Sequence, residues 1–263
     1  MNLNLNHKRV FISGSTEGIG FAIAKQLLSE GAEIILNGRS EAKLKLAVEK
    51  LLNEFPHGKV SGEVADFSDE NAVYQLAERL GSIDILINNV GIFEIREYQN
   101  FTSDDWDRNL KINLLSASIL SQKLLPKMIE KNWGRVLFIG SEFADHVQSN
   151  SIQYGVTKAA ISALSNGLSK VTKNTEVTVN TILAGATYSE GVSKTIQYFA
   201  EQNNISEEEM KQQFFHRANP NSLLGRFIEP DEIAQVAAFL VSPLALAING
   251  TSVRVDAGNN PSL

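Results

Sequence analysis

Tyr154 and Lys158 stand four residues apart, and on a helix that spacing puts both side chains on one face. An ammonium beside a phenol favours the phenolate, so a group that ordinarily titrates near 10 is drawn toward neutral pH and can trade protons there. Tyr154 is therefore a candidate general acid. Ser141 lies thirteen residues earlier, at the end of the apolar run Val136 to Ile139, where a strand would deliver its hydroxyl to the carboxyl edge of a sheet. A hydroxyl there can hold a substrate oxygen. Taken alone, Tyr-x-x-x-Lys is a weak signal, because helix surfaces carry the same pair for packing and solubility.

The elements that would position these groups are legible in the hydropathy pattern. Short β-rich apolar runs alternate with longer segments of helical period, the signature of βαβ units and a parallel sheet. Seven strands are expected, at Arg9 to Ser13, Glu33 to Asn37, Lys59 to Val64, Asp84 to Asn88, Arg135 to Gly140, Val177 to Leu183 and Thr251 to Val255. Helices are expected at about 18–30, 41–54, 69–80, 103–130, 152–172 and 230–241. Nearly continuous apolar strands such as Ile83 to Ile87 imply burial on both faces of the sheet. The expected fold class is α/β, a Rossmann-type doubly wound parallel sheet with helices on both faces, in one domain spanning 1–263.

Composition narrows the function. The 263 residues are 43% hydrophobic, enough for one large core. A net charge of −6 and a pI near 5.4 argue against a nucleic-acid partner or an anionic membrane surface, either of which wants a cationic field. Cysteine is absent, which excludes disulfides, thiolate chemistry and cysteine-based metal sites and fits the cytosol. No stretch approaches the roughly 18 apolar residues of a membrane span, and the first ten residues lack the apolar core of a secretory signal. The expected location is cytoplasmic. The histidines at 7, 57, 146 and 216 are scattered, without the helical pairing of a metal site.

The first strand runs into Ser13-Gly14-Ser15-Thr16-Glu17-Gly18-Ile19-Gly20, followed by a helix with Ile19, Ile23 and Leu27 on one face. Strand, glycine turn and helix together suit a pyrophosphate. Glycines let backbone approach it, while the free N–H groups and positive dipole end of the helix favour negative charge. Gly14, Ser15, Thr16, Gly18, Ile19 and Gly20 are the candidate contacts. The spacing of Gly14, Gly18 and Gly20 resembles that of the short-chain dehydrogenase/reductase family, and the resemblance covers essentially the whole chain. Asn88-Asn89-Val90-Gly91 is similar to the family's Asn-Asn-Ala-Gly, with Asn89 and Gly91 beside the cofactor. Asn113 matches a helix asparagine that holds a water in the family's proton relay. Asn113, Ser141, Tyr154 and Lys158 thereby complete the family's catalytic tetrad in order.

The resemblance implies an enzyme that interconverts a carbonyl and a secondary alcohol, with NAD(P)H lying across the carboxyl edge of the sheet. Ser141 and Tyr154 would bond the substrate oxygen, and Lys158 would hold the nicotinamide ribose and assist the proton transfer. Asp66, after the third strand, matches an acid that bonds the adenine amine; a turn-forming aspartate is its plainer reading.

Nucleotide choice turns on Asn37-Gly38-Arg39-Ser40. NAD enzymes carry an acid here for the ribose 2′-hydroxyl. Gly38 stands in its place and Arg39 follows, whose guanidinium suits a 2′-phosphate. NADP is expected, with NAD as the alternative that Glu17 favours, because many NADP-using relatives are basic at that position.

After the sixth strand the chain has Ala184-Gly185 where relatives have Pro-Gly, which removes a fixed φ and is expected to loosen the loop over the nicotinamide. Gly185 is a candidate contact, and Thr187 or Ser189 a candidate hydroxyl for the carboxamide. An insertion at about 188–224, with helical period in 192–200 and 207–217, reads as a lid over the substrate. Tyr188, Tyr198, Phe199, Phe214 and Phe215 either line an apolar pocket or pack the lid onto the body. Ala159, Ala163, Asn166 and Gly167 form a small-residue face on the Tyr154 helix, which in relatives meets its copy. A homodimer or homotetramer is expected, with packing on the chain's own sheet as the alternative.

Three functions follow in order of fit. The first is NADPH-dependent reduction of a ketone or 3-oxoacyl substrate. A sugar, polyol or steroid alcohol dehydrogenase comes second, and a nucleotide-sensing binding protein third. The complete tetrad favours an enzyme. An acidic carrier protein would want a basic patch at the entrance, for which Arg96, Arg108, Lys111 and Lys127 are the candidates.

Overall fold

The computed structural model describes residues 2–260. Seven strands, β1 (Arg9–Ile12), β2 (Glu33–Gly38), β3 (Val60–Val64), β4 (Ile85–Asn88), β5 (Trp133–Ile139), β6 (Glu176–Ala184) and β7 (Ser252–Val255), form one sheet. Every pairing is parallel and the order is β3-β2-β1-β4-β5-β6-β7. The order reverses between β1 and β4, and crevices outside the carboxyl ends of strands open at such a point.

β1, β4 and β5 are almost wholly buried, as strands covered on both faces must be. One face carries α1 (Gly18–Ser29), α2 (Glu41–Glu54) and α9 (Pro230–Leu240) over a core that includes Ile23, Leu27, Leu36, Ile87 and Ile233. The other carries α3 (Glu70–Leu80), α5 (Ser116–Glu130) and α6 (Ile152–Val171) over Phe11, Leu76, Leu120, Phe138 and Val179. Helix starts follow local chemistry. Ser40 accepts a hydrogen bond from Lys43 N and Asp69 one from Asn71 N, and Pro230 opens α9, each relieving the unpaired N–H groups of a first turn.

The long helix expected over 103–130 is broken. α4 (Ser103–Leu110) passes into a π turn at Lys111–Leu115 before α5 resumes. Ser116 N–H reaches back to Lys111 O, and the Ser116 hydroxyl donates to the bypassed Ile112 O at 2.7 Å. Asn113 is carried on this widened turn, and such turns gather at functional sites.

Beyond β6 lie α7 (Glu190–Asn203) and α8 (Glu207–Ala218). Ile196, Ala200, Met210, Phe215 and Phe227 form a small core of their own there, with Tyr188 and Phe214 packed against it. Tyr198 and Phe199 remain exposed. Tyr188, Phe214 and Phe215 thus hold these helices together, while Tyr198 and Phe199 stack on each other at the surface. Among the described residues no helix is long and apolar enough to cross a membrane.

Candidate active site

A cleft of about 200 Å³ opens at the carboxyl edge of β1, β4, β5 and β6. Its lining brings together Ile19 and Asn89, Gly91, Ser141, Tyr154 and Lys158, and Gly185, Thr187 and Ser189, residues that the chain separates by up to 170 positions.

At the catalytic end, Ser141 sits where β5 stops and Tyr154 on the first turn of α6, and both face the cleft, the serine hydroxyl close enough to act on the phenol. Phe93 stacks edge-on against the Tyr154 ring at 4.8 Å between centroids, with Phe143 at 6.1 Å. Burial drives the phenol up to about 12, against the pull of the Ser141 hydroxyl, and the Glu142 carboxyl pushes the same way as burial. Lys158 is drawn down to about 8 by its own burial. Its Nζ donates to Ile139 O at 2.7 Å and lies 5.5 Å from the Tyr154 ring centroid. The expectation of a phenol lowered by its lysine is therefore corrected for the chain by itself, because desolvation outweighs a cation held at this distance. The phenol is protonated through the neutral range, the form a proton donor needs.

Asn113 does not aim its amide at Lys158. Its Oδ1 accepts Ile92 N–H at 2.8 Å, and its Nδ2 donates to Ile92 O at 3.1 Å and Thr157 Oγ1 at 3.0 Å. Both donors are spent and one acceptor lone pair remains. The asparagine clamps the turn after β4 to α6. Gly91 lies between them, where a Cβ would stand 3.4 Å from Lys158 Nζ and 3.6 Å from Asn113 Oδ1.

At the other end the residues fit a dinucleotide. Gly14 and Gly18 have φ of +59° and +64°, in the left-handed region glycine tolerates. A Cβ at Gly20 would lie 2.5 Å from Asn89 Nδ2 and 2.7 Å from Gly14 O, so side chains are kept out of the cradle by its own packing. Asn89 ties the turn down by donating to Ser13 O at 3.0 Å and Gly14 O at 2.8 Å. Ser15, a candidate contact, is buried. Its hydroxyl donates to Ile12 O and accepts Asn37 N–H, so it braces the turn and has no free group for the cleft. Thr16 packs under the end of β2, where a Cβ on Gly38 would come 2.6 Å from its Cγ2. That methyl stands where an acid at position 38 would have to pass. Arg39 is exposed and its charge bears on Asp66. The Asp66 carboxyl is held low by the N–H and hydroxyl of Ser68, both bonded to Oδ1. Asp66 thus forms the turn of its plainer reading and keeps Oδ2 for a ligand.

Past β6, Gly185 N–H donates to Val255 O at 2.9 Å and Thr187 Oγ1 to Gly185 O at 2.9 Å. Thr187 also pairs with Ile228 in an isolated parallel bridge. The loop without its proline is pinned, not loosened. Ser189 caps α7 and lines the same wall.

Four residues escaped the sequence reading. Glu190 Oε2 accepts Gly18 N–H at 2.7 Å, placing a carboxylate on the start of α1. Phe93 and Thr157 shape and brace the catalytic end, and Glu142 sits behind it. Only Glu142 carried a signal, an acid directly after the candidate serine. The remaining expectations divide cleanly. Of the four residues expected to form a basic patch at the entrance, Arg96 is paired with Glu94 and Asp105, Arg108 with Glu94, and Lys127 donates to Gly81 O, while Lys111 is exposed.

A phosphate-binding turn at a switch point, opening into a cleft with a phenol, a hydroxyl and a buried lysine, defines a nicotinamide-nucleotide oxidoreductase acting on carbonyl and alcohol groups. Comparison with known proteins agrees. A family model described as Enoyl-(Acyl carrier protein) reductase matches residues 14–260. The Bacillus subtilis (strain 168) uncharacterized oxidoreductase YvrD is 40% identical over 98% of each chain. The 3-oxoacyl-(acyl-carrier-protein) reductase FabG of Aquifex aeolicus is 31% identical over 98% of this chain and 99% of its own. The crystal structure of L-sorbose reductase from Gluconobacter frateurii, complexed with NADPH and L-sorbose, superposes with a TM-score of 0.94 at 27% identity over all of both chains. The chain belongs to the short-chain dehydrogenase/reductase family and is an NAD(P)-dependent oxidoreductase.

Proposed function

We propose that this enzyme reduces the ketone carbonyl of a free small molecule with NADPH, the reverse oxidation running through the same groups. The observation that carries the reading is that Ser141, Tyr154 and Lys158 line the same cleft as Ile19 and Asn89 of the glycine-turn end, with the serine hydroxyl acting on the phenol. Gly14, Gly18, Gly20, Asn89 and Gly91 would cradle the dinucleotide, Arg39 its 2′-phosphate, Asp66 its adenine, and Lys158, Gly185 and Thr187 its nicotinamide end. When bound, that group supplies or accepts the hydride. Ser141 and Tyr154 hold the substrate oxygen. Tyr154 gives it a proton as negative charge develops, and Lys158 refills the phenol. Asn113 keeps Gly91 and Ile92 against α6, and a water held there would extend the relay.

NADP is favoured because Gly38, with the Thr16 methyl packed over it, stands where the acid that a 2′-hydroxyl requires would be, and because solved relatives of the same fold carry NADPH or NADP. A free substrate is favoured over a carrier-bound 3-oxoacyl thioester because Glu94 neutralises the arginines near the entrance; the FabG relatives keep that thioester as the second reading. α7 and α8 serve as a lid within one domain. Ala163, Asn166 and Gly167 are exposed, which suits a homodimer or homotetramer through α6, in the cytoplasm.

The test is a panel of ketones, 3-oxoacyl thioesters and sugar alcohols followed by nicotinamide absorbance with NADPH and with NADH. Turnover of free ketones with NADPH is expected. Turnover of carrier-bound thioesters alone would overturn the free-substrate reading.

A further inference from the structure

Gly185 and Thr187 line the cleft, so the backbone after β6 must be held still. Its sequence, Ala184-Gly185-Ala186, contains nothing that fixes φ. The fixing comes from outside. A Cβ on Gly185 would lie 2.7 Å from Asp256 Cα, and Ala186 O accepts Ile228 N–H at 2.9 Å. The remaining group, Ala186 N–H, faces the carboxyl of Glu142 and favours its ionised form.

Glu142 follows Ser141 and opens the short 3-10 turn Glu142–Ala144, whose Phe143 N–H the serine hydroxyl accepts at 3.2 Å. Its side chain is only 5% exposed. Oε2 also accepts from Asn259 Nδ2 at 2.8 Å, and the same nitrogen reaches Asn219 Oδ1, at the end of α8, at 3.3 Å. One carboxyl therefore touches the serine turn, the nicotinamide-side backbone and the C-terminal segment, and through Asn259 the proposed lid. Burying a carboxyl is costly unless donors compensate it. Two donors meet this one, and the reaction itself has no use for it.

The titratable groups set against Glu142 are Tyr154 on α6 and Asp256 after β7. Asp256 accepts Gly258 N–H at 3.1 Å and Asn260 N–H at 3.4 Å. Burial, joined by Asp256, holds the Glu142 proton to higher pH than an ordinary glutamate's, against the two donors. When ionised, Glu142 raises the phenol's affinity for its proton.

We propose that Glu142 is a positioning residue for the reaction. It ties the serine turn, the Gly185–Thr187 backbone and the C-terminal segment together and sets its charge beside the phenol. This rests on Tyr154 being the proton donor.

The experiment compares Glu142→Gln, Glu142→Ala and Tyr154→Phe in the full chain. It uses NADPH affinity by nicotinamide fluorescence and kcat and KM across about pH 6 to 10 with the ketone and alcohol the enzyme turns over. Glutamine keeps the shape and one acceptor for Ala186 N–H. Its amide can donate to Asn259 Oδ1, which has no hydrogen-bond partner among the described residues, once the Asn259 amide turns over. Glu142→Gln is expected to keep NADPH affinity and plateau kcat within about threefold while moving the rise of alcohol oxidation with pH, where the phenol gives up its proton, down by about 0.5 pH units or more. Glu142→Ala is expected to lose about tenfold or more in kcat with NADPH affinity kept. An unmoved pH profile in Glu142→Gln, whatever Glu142→Ala does, marks a merely structural residue and overturns the proposal. Turnover by Tyr154→Phe overturns the underlying reading and the proposal with it.

Discussion

Around Tyr154 the polar atoms are spent on buried protein partners, whereas the glycine turn, braced beneath by Ser15 and Asn89, meets charged side chains at its outer rim, around Glu17 and Gly18. Lys158 on Ile139 O, Asn113 on Ile92 and Thr157, and Glu142 on Ala186 and Asn259 each fix a position that the chemistry needs before substrate arrives. At the other end, Glu17 lies 3.9 Å from both Lys43 and Lys194, and Glu190 rests on Gly18 N–H. Exposed pairs of this kind are worth about 0–1 kcal/mol and break readily. On the proposed function, the contrast separates a preorganised reaction centre from a binding surface that would exchange partners when an anion arrives.

The contrast breaks hardest at the phenol. Tyr154→Phe keeps the ring and loses the proton donor, so turnover is expected to fall by about 10²–10⁴-fold while NADPH affinity, measured by fluorescence titration, stays within about twofold. Substantial turnover would mean the buried end is not where the proton is transferred. At Lys158 the sign follows from its lowered value. The ammonium is present below about 8 and lost above it, so carbonyl reduction is expected to decline as pH rises through that value, measured as kcat at saturating NADPH.

Smaller effects belong to the charged end. Arg39→Ala removes a guanidinium from the proposed 2′-phosphate site and is expected to weaken NADPH about 10- to 100-fold with NADH unchanged, an outcome that parallel titrations check. Equal losses for both nucleotides would remove Arg39 from the choice between them. Glu190→Gln takes a competing charge off the start of α1, and a gain of about threefold in NADPH affinity is expected, larger at low salt. A loss instead would mean that the carboxylate stays beside the bound nucleotide as a contact.

What the sequence disclosed follows the same division. Tyr154, Lys158, Ser141 and the glycine turn were readable because their spacing along a helix, or at the end of an apolar strand, already sets where they point. The seven strands lie within two residues of their expected bounds for the same reason. The π turn at Lys111–Leu115 was not readable, since residues on either side of it keep helical composition and only the hydrogen-bond register changes. Nor was the proton affinity of the phenol, because burial is a property of what packs around Tyr154 and not of its neighbours along the chain. Glu190 reads from sequence as one more surface acid. It takes the folded loop after β6 to bring it back to a turn 172 residues earlier.

The contact between Thr16 and Gly38 also bears on how this protein can change. An aspartate introduced at 38 to recruit the unphosphorylated dinucleotide would meet the threonine methyl, which must turn aside or be trimmed to admit it. A smaller residue at 16 is the simplest companion change. Libraries that vary the two positions together are therefore expected to change redox currency more readily than single substitutions at 38.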